Sequence, residues 1–128
     1  MDAITYAIGD IHGRRDLLDP LLEKIESDAE ARRRRAKIVF CGDYVDRGPD
    51  SRGVIERLIA GPKRPGDEFI CLAGNHDLLF VRAVTTEQEL PDWAWSLFLG
   101  TLASYDSGGK PDNAALRQHA EFLSALPP

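Results

Sequence analysis

The stretch "KIVFCGDYVDRG", residues 37–48, joins an apolar run to a cluster of charged side chains. A short continuous apolar run that ends at a glycine is typical of a buried strand in a parallel sheet. Two aspartates and an arginine then stand between Gly42 and Gly48. Charged groups directly after a buried strand lie at the sheet edge where α/β proteins bind their ligands.

Two further segments have the same organisation. Residues 3–13, "AITYAIGDIHG", and residues 67–77, "DEFICLAGNHD", each join an apolar run to a glycine followed by polar residues. We therefore expect three buried strands, each of which ends in a polar loop.

Helical patterns separate these strands. Apolar residues recur at spacings of three and four between residues 17 and 29, after Asp16 as the predicted N-cap. A second helix is predicted to begin at Asp50 or Ser51 and to end before Gly61, and a third begins near residue 78. The alternation of strands and helices predicts an α/β fold with a mostly parallel sheet and right-handed crossovers.

The three polar loops should meet in space, because the carboxyl ends of parallel strands share one edge of a sheet. Four of their side chains, Asp10, His12, Asp43 and Asn75, are candidate metal ligands. Carboxylate, imidazole and amide groups bind Mn, Fe or Zn ions. Asp43 could bridge two divalent ions about 3.5–4 Å apart, a pair that activates water for attack on phosphorus.

Three further residues of the same loops suit phosphate chemistry. The planar guanidinium of Arg47 matches two phosphate oxygens. His76 is a candidate general acid for the leaving oxygen. Asp46 can accept a hydrogen bond from the second ring nitrogen of His76 and so fix its tautomer.

Composition excludes several classes of protein. The chain has 128 residues and a net charge of -5 from 16 basic and 21 acidic residues, so we expect one small domain that does not bind nucleic acid. Its apolar runs are shorter than the roughly 18 residues that span a bilayer, and its N-terminus does not resemble a signal peptide. We therefore expect a cytoplasmic protein with no membrane partner. Cys41 and Cys71 are interpreted as buried apolar residues of the strands.

The segments "GDIHG", "GDYVDRG" and "GNHD" resemble, in this order and roughly this spacing, the three signature blocks of the phosphoprotein phosphatases within the calcineurin-like metallophosphoesterases. "GNHD" in place of "GNHE" resembles the bacterial branch. The resemblance covers residues 9–77 and implies a metallophosphatase α/β sandwich. It also implies hydrolysis of phosphomonoesters, commonly phosphoserine and phosphothreonine, by direct attack of a hydroxide held by two divalent ions. We expect Mn, with Fe or Zn as alternatives.

The resemblance implies a role for each of seven residues. These roles agree with the chemical interpretation: Asp10 and His12 at the first metal ion, Asp43 between the ions, Asn75 at the second ion, Arg47 and Asn75 on the phosphate, and His76 with Asp46 at the leaving group.

The chain departs from the family pattern after residue 77. Family members carry two more histidines for the second ion and another arginine, in a longer domain with two sheets. His119 is the only histidine after His76, and it shares a helical face with Leu116 and Leu123, so we interpret it as a helix residue rather than a ligand. We expect the N-terminal part of a longer phosphatase that lacks the second sheet. A chain that truly ended at residue 128 could cover the open sheet face as a homodimer.

Residues 1–128 are expected to form a single metallophosphatase domain. Strand–helix units with the metal ligands would occupy residues 1–84, and a helical lid or cap would occupy residues 85–128. The late aromatic residues could pack in the core or form a lid at the substrate groove: Trp93, Trp95, Phe98 and Tyr105.

Three functions compete. The main hypothesis is a phosphatase acting on phosphoproteins or other phosphomonoesters, which Asp46 favours. The alternative is a symmetrical bis(5'-nucleosyl)-tetraphosphate hydrolase, a branch that shares "GDIHG" and "GNHDLL" but tends to lack an acid at the position of Asp46. A second alternative is a truncated, non-catalytic module that binds metal or phosphate.

Overall fold

The three predicted strands form one parallel sheet in the computed structural model, which describes residues 2–85 and 92–128. Strands β1 (Ala3–Ile8), β2 (Arg35–Phe40) and β3 (Glu68–Cys71) lie in sequential order. Phe40 pairs with the last residues of both neighbours, so the strands end level with one another. The predicted α/β fold with a parallel sheet is confirmed, and the strand ends place the three polar loops along one edge.

Helices α1 (Arg15–Ala31) and α2 (Ser51–Ala60) connect the strands. Sequential strand order with right-handed crossovers puts both helices on the same face of the sheet. The predicted cap at Asp50 is confirmed, since its side chain accepts a 2.8 Å hydrogen bond from the Gly53 amide. The predicted cap at Asp16 is wrong: Arg14 is the N-cap, two residues earlier, and Asp16 lies within the first turn, where it accepts hydrogen bonds from the Arg14 guanidinium.

The rest of the described chain is mostly helical. Helix α3 (Asn75–Thr85) follows β3, and α4 (Asp92–Leu102) leads into a 3₁₀ turn (Ala103–Tyr105). A two-stranded antiparallel ribbon, β4 (Asp106–Ser107) and β5 (Lys110–Pro111), precedes α5 (Asn113–Ser124). Within the segment interpreted as a lid, residues 86–91 lie outside the described residues. None of the described helices is long and apolar enough to cross a membrane.

The late aromatic residues divide between the core and the surface. Tyr105 is fully buried, and its ring centroid lies 5.9 Å from that of Phe80, while Phe98 packs against the same phenylalanine. Trp93 and Trp95 are exposed on α4. Core packing therefore accounts for Tyr105 and Phe98 but not for the two tryptophans.

Helix α5 buries the face that its sequence pattern predicts. His119 lies on that face with Leu116 and Leu123, and its Nδ1 shares a 2.6 Å hydrogen bond with the Tyr105 hydroxyl. Burial lowers the pKa of His119 and raises that of Tyr105. The interpretation of His119 as a helix residue is confirmed.

The second face of the sheet is more open than the helix-covered face. Thr5 and Ala7 of β1 are exposed, and Val39 and Ile70 are half-buried. Cys41, which follows β2, is also exposed, so the prediction that it is buried is wrong: only one face of its strand is covered. Cys71 is half-buried, and burial raises the pKa of its thiol to about 11.

Candidate active site

The loops after β1 and β2 are joined by backbone hydrogen bonds. The His12 amide donates to the Asp43 carbonyl at 2.9 Å, and the Gly13 amide donates to the Tyr44 carbonyl at 2.8 Å. These bonds bring "GDIHG" alongside "GDYVDRG", as the sequence pattern predicts.

Glycines let the three loops approach closely. A Cβ atom on Gly74 would lie 2.3 Å from Asp43 Oδ1 and 2.4 Å from the Asp43 nitrogen. One on Gly48 would lie 2.0 Å from the His12 carbonyl oxygen. Both distances are far below van der Waals contact, so a side chain at either position would push the loops apart.

Asp77 fastens the loop after β3 to the loop after β2. One carboxylate oxygen accepts from the amides of Asp43 at 2.7 Å and Gly74 at 2.9 Å, and the other accepts from the Tyr44 amide at 2.9 Å. The side chain is fully buried, and burial raises its pKa while the three amide donors act in the opposite direction. The sequence interpretation assigned no role to Asp77, although its place in "GNHD" was a signal.

Asp10, His12 and Asp43 form a candidate metal site. Each offers a ligand atom within 4.8 Å of the others, near the span that one ion with bonds of about 2.0–2.2 Å requires. His12 Nδ1 lies 2.8 Å from the Val45 carbonyl oxygen. Because that oxygen only accepts, Nδ1 carries the proton and Nε2 keeps its lone pair for a metal. The donor set and the tautomer both fit a divalent transition metal.

Asn75 lies beside this site in the chain, between Gly74 and His76, both of which contact Asp43. It is the exposed first residue of α3 and follows Gly74, which contacts Asp43. In residues 2–85 and 92–128, only Asp10, His12 and Asp43 gather as a group of three possible His, Cys, Asp or Glu ligands. The roles of Asn75 at a second ion and on the phosphate therefore stay predictions.

His76 and Asp46 form a hydrogen-bonded pair beside the candidate metal site. His76 Nδ1 lies 2.8 Å from Asp46 Oδ2, and the His76 ring centroid lies 4.9 Å from that of His12. The His76 amide also donates to Asp43 Oδ1 at 3.0 Å. The structure thus places the candidate acid and its orienting carboxylate next to the candidate ligands, and their catalytic roles stay predictions.

Two hydroxyl groups hold Asp46 in place. Its amide donates to Ser51 Oγ at 3.2 Å, and the Thr101 hydroxyl donates to its Oδ1. The sequence interpretation missed Thr101, because a lone threonine in a helix 55 residues downstream belongs to no local pattern.

Arg47, the candidate phosphate ligand, is exposed next to this pair. It lines a groove of about 420 Å³ between its own loop and α4, with Pro49, Ser96 and Gly100. A mobile or extended anion could therefore reach the guanidinium from solvent.

Four candidate site residues have a left-handed backbone conformation. The φ angles are 42° at His12, 57° at Asp43, 72° at Asp46 and 73° at Arg47. Non-glycine residues seldom adopt such angles, and they concentrate at functional sites. The backbone of these loops is therefore strained, and this conformation sets the directions of the four candidate site side chains.

Known proteins resemble this chain in sequence and in fold. A symmetrical bis(5'-nucleosyl)-tetraphosphatase of Janthinobacterium sp. is 40% identical over 74 residues, which is 58% of this chain and 24% of the relative. The same enzyme of Klebsiella pneumoniae is 42% identical over 74 residues, 58% of this chain and 23% of that protein. The chain spans about a quarter of the length of these curated relatives.

A solved structure is also similar to this chain over nearly its whole length. A crystal structure described as a putative diadenosine tetraphosphatase is 28% identical, with a TM-score of 0.55, over 98% of this chain and 47% of that one. The sequence also matches the calcineurin-like phosphoesterase family over residues 5–126. Because this match takes in all three polar loops and nearly the whole sequence, the chain belongs to the calcineurin-like phosphoesterases.

Proposed function

We propose that this protein is a metal-dependent hydrolase of bis(5'-nucleosyl) tetraphosphates. The observation that carries the proposal is the candidate metal site of Asp10, His12 and Asp43 beside the His76–Asp46 pair. The tetraphosphatases that are 40% and 42% identical over 74 residues support this choice of substrate.

The candidate ligands would hold the metal, and neighbouring side chains would act on the substrate. Two divalent ions, most simply Mn²⁺, would supply Lewis acids that activate water and offset phosphate charge. Arg47 would bind phosphate oxygens from its groove. His76 would give a proton to the leaving oxygen, while Asp46 holds its ring.

The proposed reaction adds one water molecule across a central P–O–P bond. The oxygen of the water joins one phosphorus, the bridging oxygen leaves with the other, and two nucleoside diphosphates result. A nucleoside diphosphate is a less basic leaving group than a serine alkoxide, so its departure depends less on a proton from His76.

A second candidate function is a phosphoprotein phosphatase, the main hypothesis from the sequence. The observation that favours it is the 2.8 Å contact between His76 and Asp46, because an oriented acid is most useful for a poor leaving group such as a serine alkoxide. The tetraphosphatase relatives favour the first candidate.

A comparison of two substrates decides between the tetraphosphate hydrolase and the phosphoprotein phosphatase. The full-length protein with Mn²⁺ would be given diadenosine tetraphosphate and a phosphoserine peptide, and the products would be resolved by chromatography. We expect ADP as the sole nucleotide product and a kcat/KM at least about tenfold higher than for the peptide, a difference of about 1.4 kcal/mol in transition-state binding. A preference for the peptide would support the phosphoprotein phosphatase.

Bound metal and turnover, measured together, separate an enzyme from a non-catalytic module. Asp43→Asn removes a charge from the candidate site and should lower both bound metal and turnover, whereas Asp106→Asn, on the exposed ribbon β4, should change neither. A wild-type protein that retains metal but hydrolyses neither substrate would favour the module.

A further inference from the structure

We propose that Thr101 of α4 is a positioning residue that fixes the orientation of His76 by holding the Asp46 carboxylate. This inference rests on the proposed function, in which His76 protonates the leaving oxygen. It assigns a role in the reaction to the segment that follows the three signature loops.

The contact joins two buried side chains. Thr101 is 1% exposed and Asp46 is 5% exposed. The Thr101 hydroxyl donates to Asp46 Oδ1, and His76 Nδ1 lies 2.8 Å from Oδ2. Each carboxylate oxygen therefore has its own partner, and the carboxylate cannot turn without breaking one of the two hydrogen bonds.

The orientation of the carboxylate sets the orientation of the imidazole. Because Nδ1 of His76 faces Asp46, Nε2 lies on the opposite side of the ring. The ring stands edge-to-face with that of His12, a candidate metal ligand, at 4.9 Å between centroids. A tilt of the Asp46 carboxylate would move Nε2 relative to a substrate bound at the metal site, and small displacements of this kind can reduce rates strongly.

Thr101 is itself held in place. The Ser104 hydroxyl donates to the Thr101 carbonyl at 2.7 Å and accepts from the Arg52 amide of α2 at 3.1 Å. The end of α4 is therefore fixed to the start of α2, which also carries Ser51, the acceptor of the Asp46 amide hydrogen bond. The hydroxyl of Thr101 stands on a rigid support rather than on a free loop.

Two substitutions of Thr101 separate the effect of its hydrogen bond from the effect of its side-chain packing. Thr101→Val keeps the shape of the side chain but leaves Asp46 Oδ1 without its donor. Thr101→Ser keeps the donor but removes a methyl group. Thr85→Val is a matched control, because it makes the same change at an exposed threonine at the end of α3, whose hydroxyl donates to the Val81 carbonyl of its own helix.

Leaving-group dependence is the first readout, measured with the full-length protein and Mn²⁺. On phenyl phosphate, whose leaving group is basic, we expect Thr101→Val to lower kcat by about 10- to 100-fold, within the contribution of a general acid. On p-nitrophenyl phosphate, whose leaving group needs no proton, the loss should stay below about threefold if the acid alone is affected. Thr101→Ser and Thr85→Val should keep near wild-type values on both substrates.

The second readout does not depend on activity. The Nδ1 proton of His76 in the Zn²⁺-loaded protein can be observed by ¹⁵N-edited NMR and assigned with His76→Gln. We expect a hydrogen-bonded signal in the wild type and Thr101→Ser, and a shifted or solvent-exchanged signal in Thr101→Val.

Either readout can overturn the inference. Equal kcat losses on both aryl phosphates, or equal losses in Thr101→Val and Thr101→Ser, would show that packing alone is affected. An unchanged Nδ1 signal in Thr101→Val would also contradict it. If the wild type hydrolysed no phosphate compound, the proposed function would fail, and the NMR comparison would still decide whether Thr101 positions His76.

Discussion

Asp77 shows how one buried side chain can hold two loops. Its carboxylate accepts hydrogen bonds from the amides of Asp43, Tyr44 and Gly74, and these are the residues that bring the candidate ligand Asp43 into position. In "GNHD", Asp77 thus has a structural role, whereas the adjacent His76 has a proposed role in catalysis.

Asp77→Asn should therefore destabilise the protein. An asparagine offers one acceptor oxygen and places an NH₂ group against amide donors, so the free energy of unfolding should fall by about 2–4 kcal/mol. Urea unfolding followed by circular dichroism measures the change. Asp16→Asn, at an exposed carboxylate bound to Arg14, is the control and should leave the midpoint nearly unchanged. A midpoint for Asp77→Asn as high as that of the control would contradict the role of the three hydrogen bonds.

Gly74→Ala should disturb the candidate metal site. The added methyl group would meet Asp43 Oδ1 and the Asp43 nitrogen, so we expect destabilisation of about 1–3 kcal/mol from overpacking, together with weaker metal binding. Gly100→Ala is the matched control: the space around it is open, and alanine in a helix should stabilise by about 0.5–1 kcal/mol. Thermal unfolding and isothermal titration with Mn²⁺ measure both effects, and unchanged Mn²⁺ affinity in Gly74→Ala would refute the expectation.

At the scale of secondary-structure elements, α5 is joined to the 3₁₀ turn by the buried hydrogen bond between His119 and Tyr105. Arg52 of α2 strengthens this junction, because it pairs with Asp112 at the start of α5 at 3.0 Å. Burial is the largest cause of the lowered pKa of His119; Arg52 also lowers this pKa, whereas Glu56 and Asp112 raise it.

The stability that depends on His119 should decline in acid. Because its folded pKa lies below the unfolded value of about 6.5, the unfolded chain takes up the proton first as the pH falls. Neutral His119 thus contributes fully above about pH 6.5, and the contribution falls by up to about 1.4 kcal/mol per pH unit below it. Urea unfolding of the wild type and His119→Gln between pH 5.5 and 7.5 tests this, since the difference between them should shrink in acid. A constant difference would contradict the buried, neutral state.

The sequence predicts the sheet well because its signal is local. Apolar runs that end at Gly9, Gly42 and Gly74 mark three strands, and the edge rule for parallel sheets then brings Asp10 and Asp43 together. The role of Thr101 was not predictable in this way, because its partner Asp46 lies 55 residues away. That of Asp77 depends mainly on the amides of Asp43 and Tyr44, more than 30 residues away, although its place in "GNHD" was a signal.

Two predictions from the sequence were wrong, the helix cap at Asp16 and the burial of Cys41, and each has a physical cause. Asp16 has the side chain of a helix cap, but Arg14 competes for it and the helix begins at Arg15. The exposure of Cys41 could not be inferred from an apolar run, because such a run does not tell which face of the strand a helix covers.

For the molecule as a whole, the open face of the sheet is the main asymmetry. Helices α1 and α2 lie against one face, whereas Thr5, Ala7 and Cys41 on or beside the other are exposed. An uncovered sheet face is a surface on which a further segment or a second copy can pack. The homodimer expected from the sequence stays a proposal for this face.

Thiol reactivity should report the state of that face. In the 128-residue chain we expect Cys41 to react with a thiol reagent at least about tenfold faster than Cys71, whose burial and raised pKa keep its thiolate scarce. Cys41→Ser and Cys71→Ser separate the two rates. If Cys41 were protected at every protein concentration, this face would be covered in the monomer, and protection that appears only on concentration would indicate a dimer.

The left-handed backbone at His12, Asp43, Asp46 and Arg47 bears on how this protein could be engineered. Glycine would relieve about 1–2 kcal/mol of strain at each position. A laboratory selection that rewarded only heat resistance would therefore favour glycine at the exposed Arg47 and would so remove a proposed phosphate ligand. Glycine at Asp46 would also remove the carboxylate that His76 and Thr101 contact, which would offset the gain. A thermostabilisation programme should hold these codons fixed and search for gains elsewhere in the sequence.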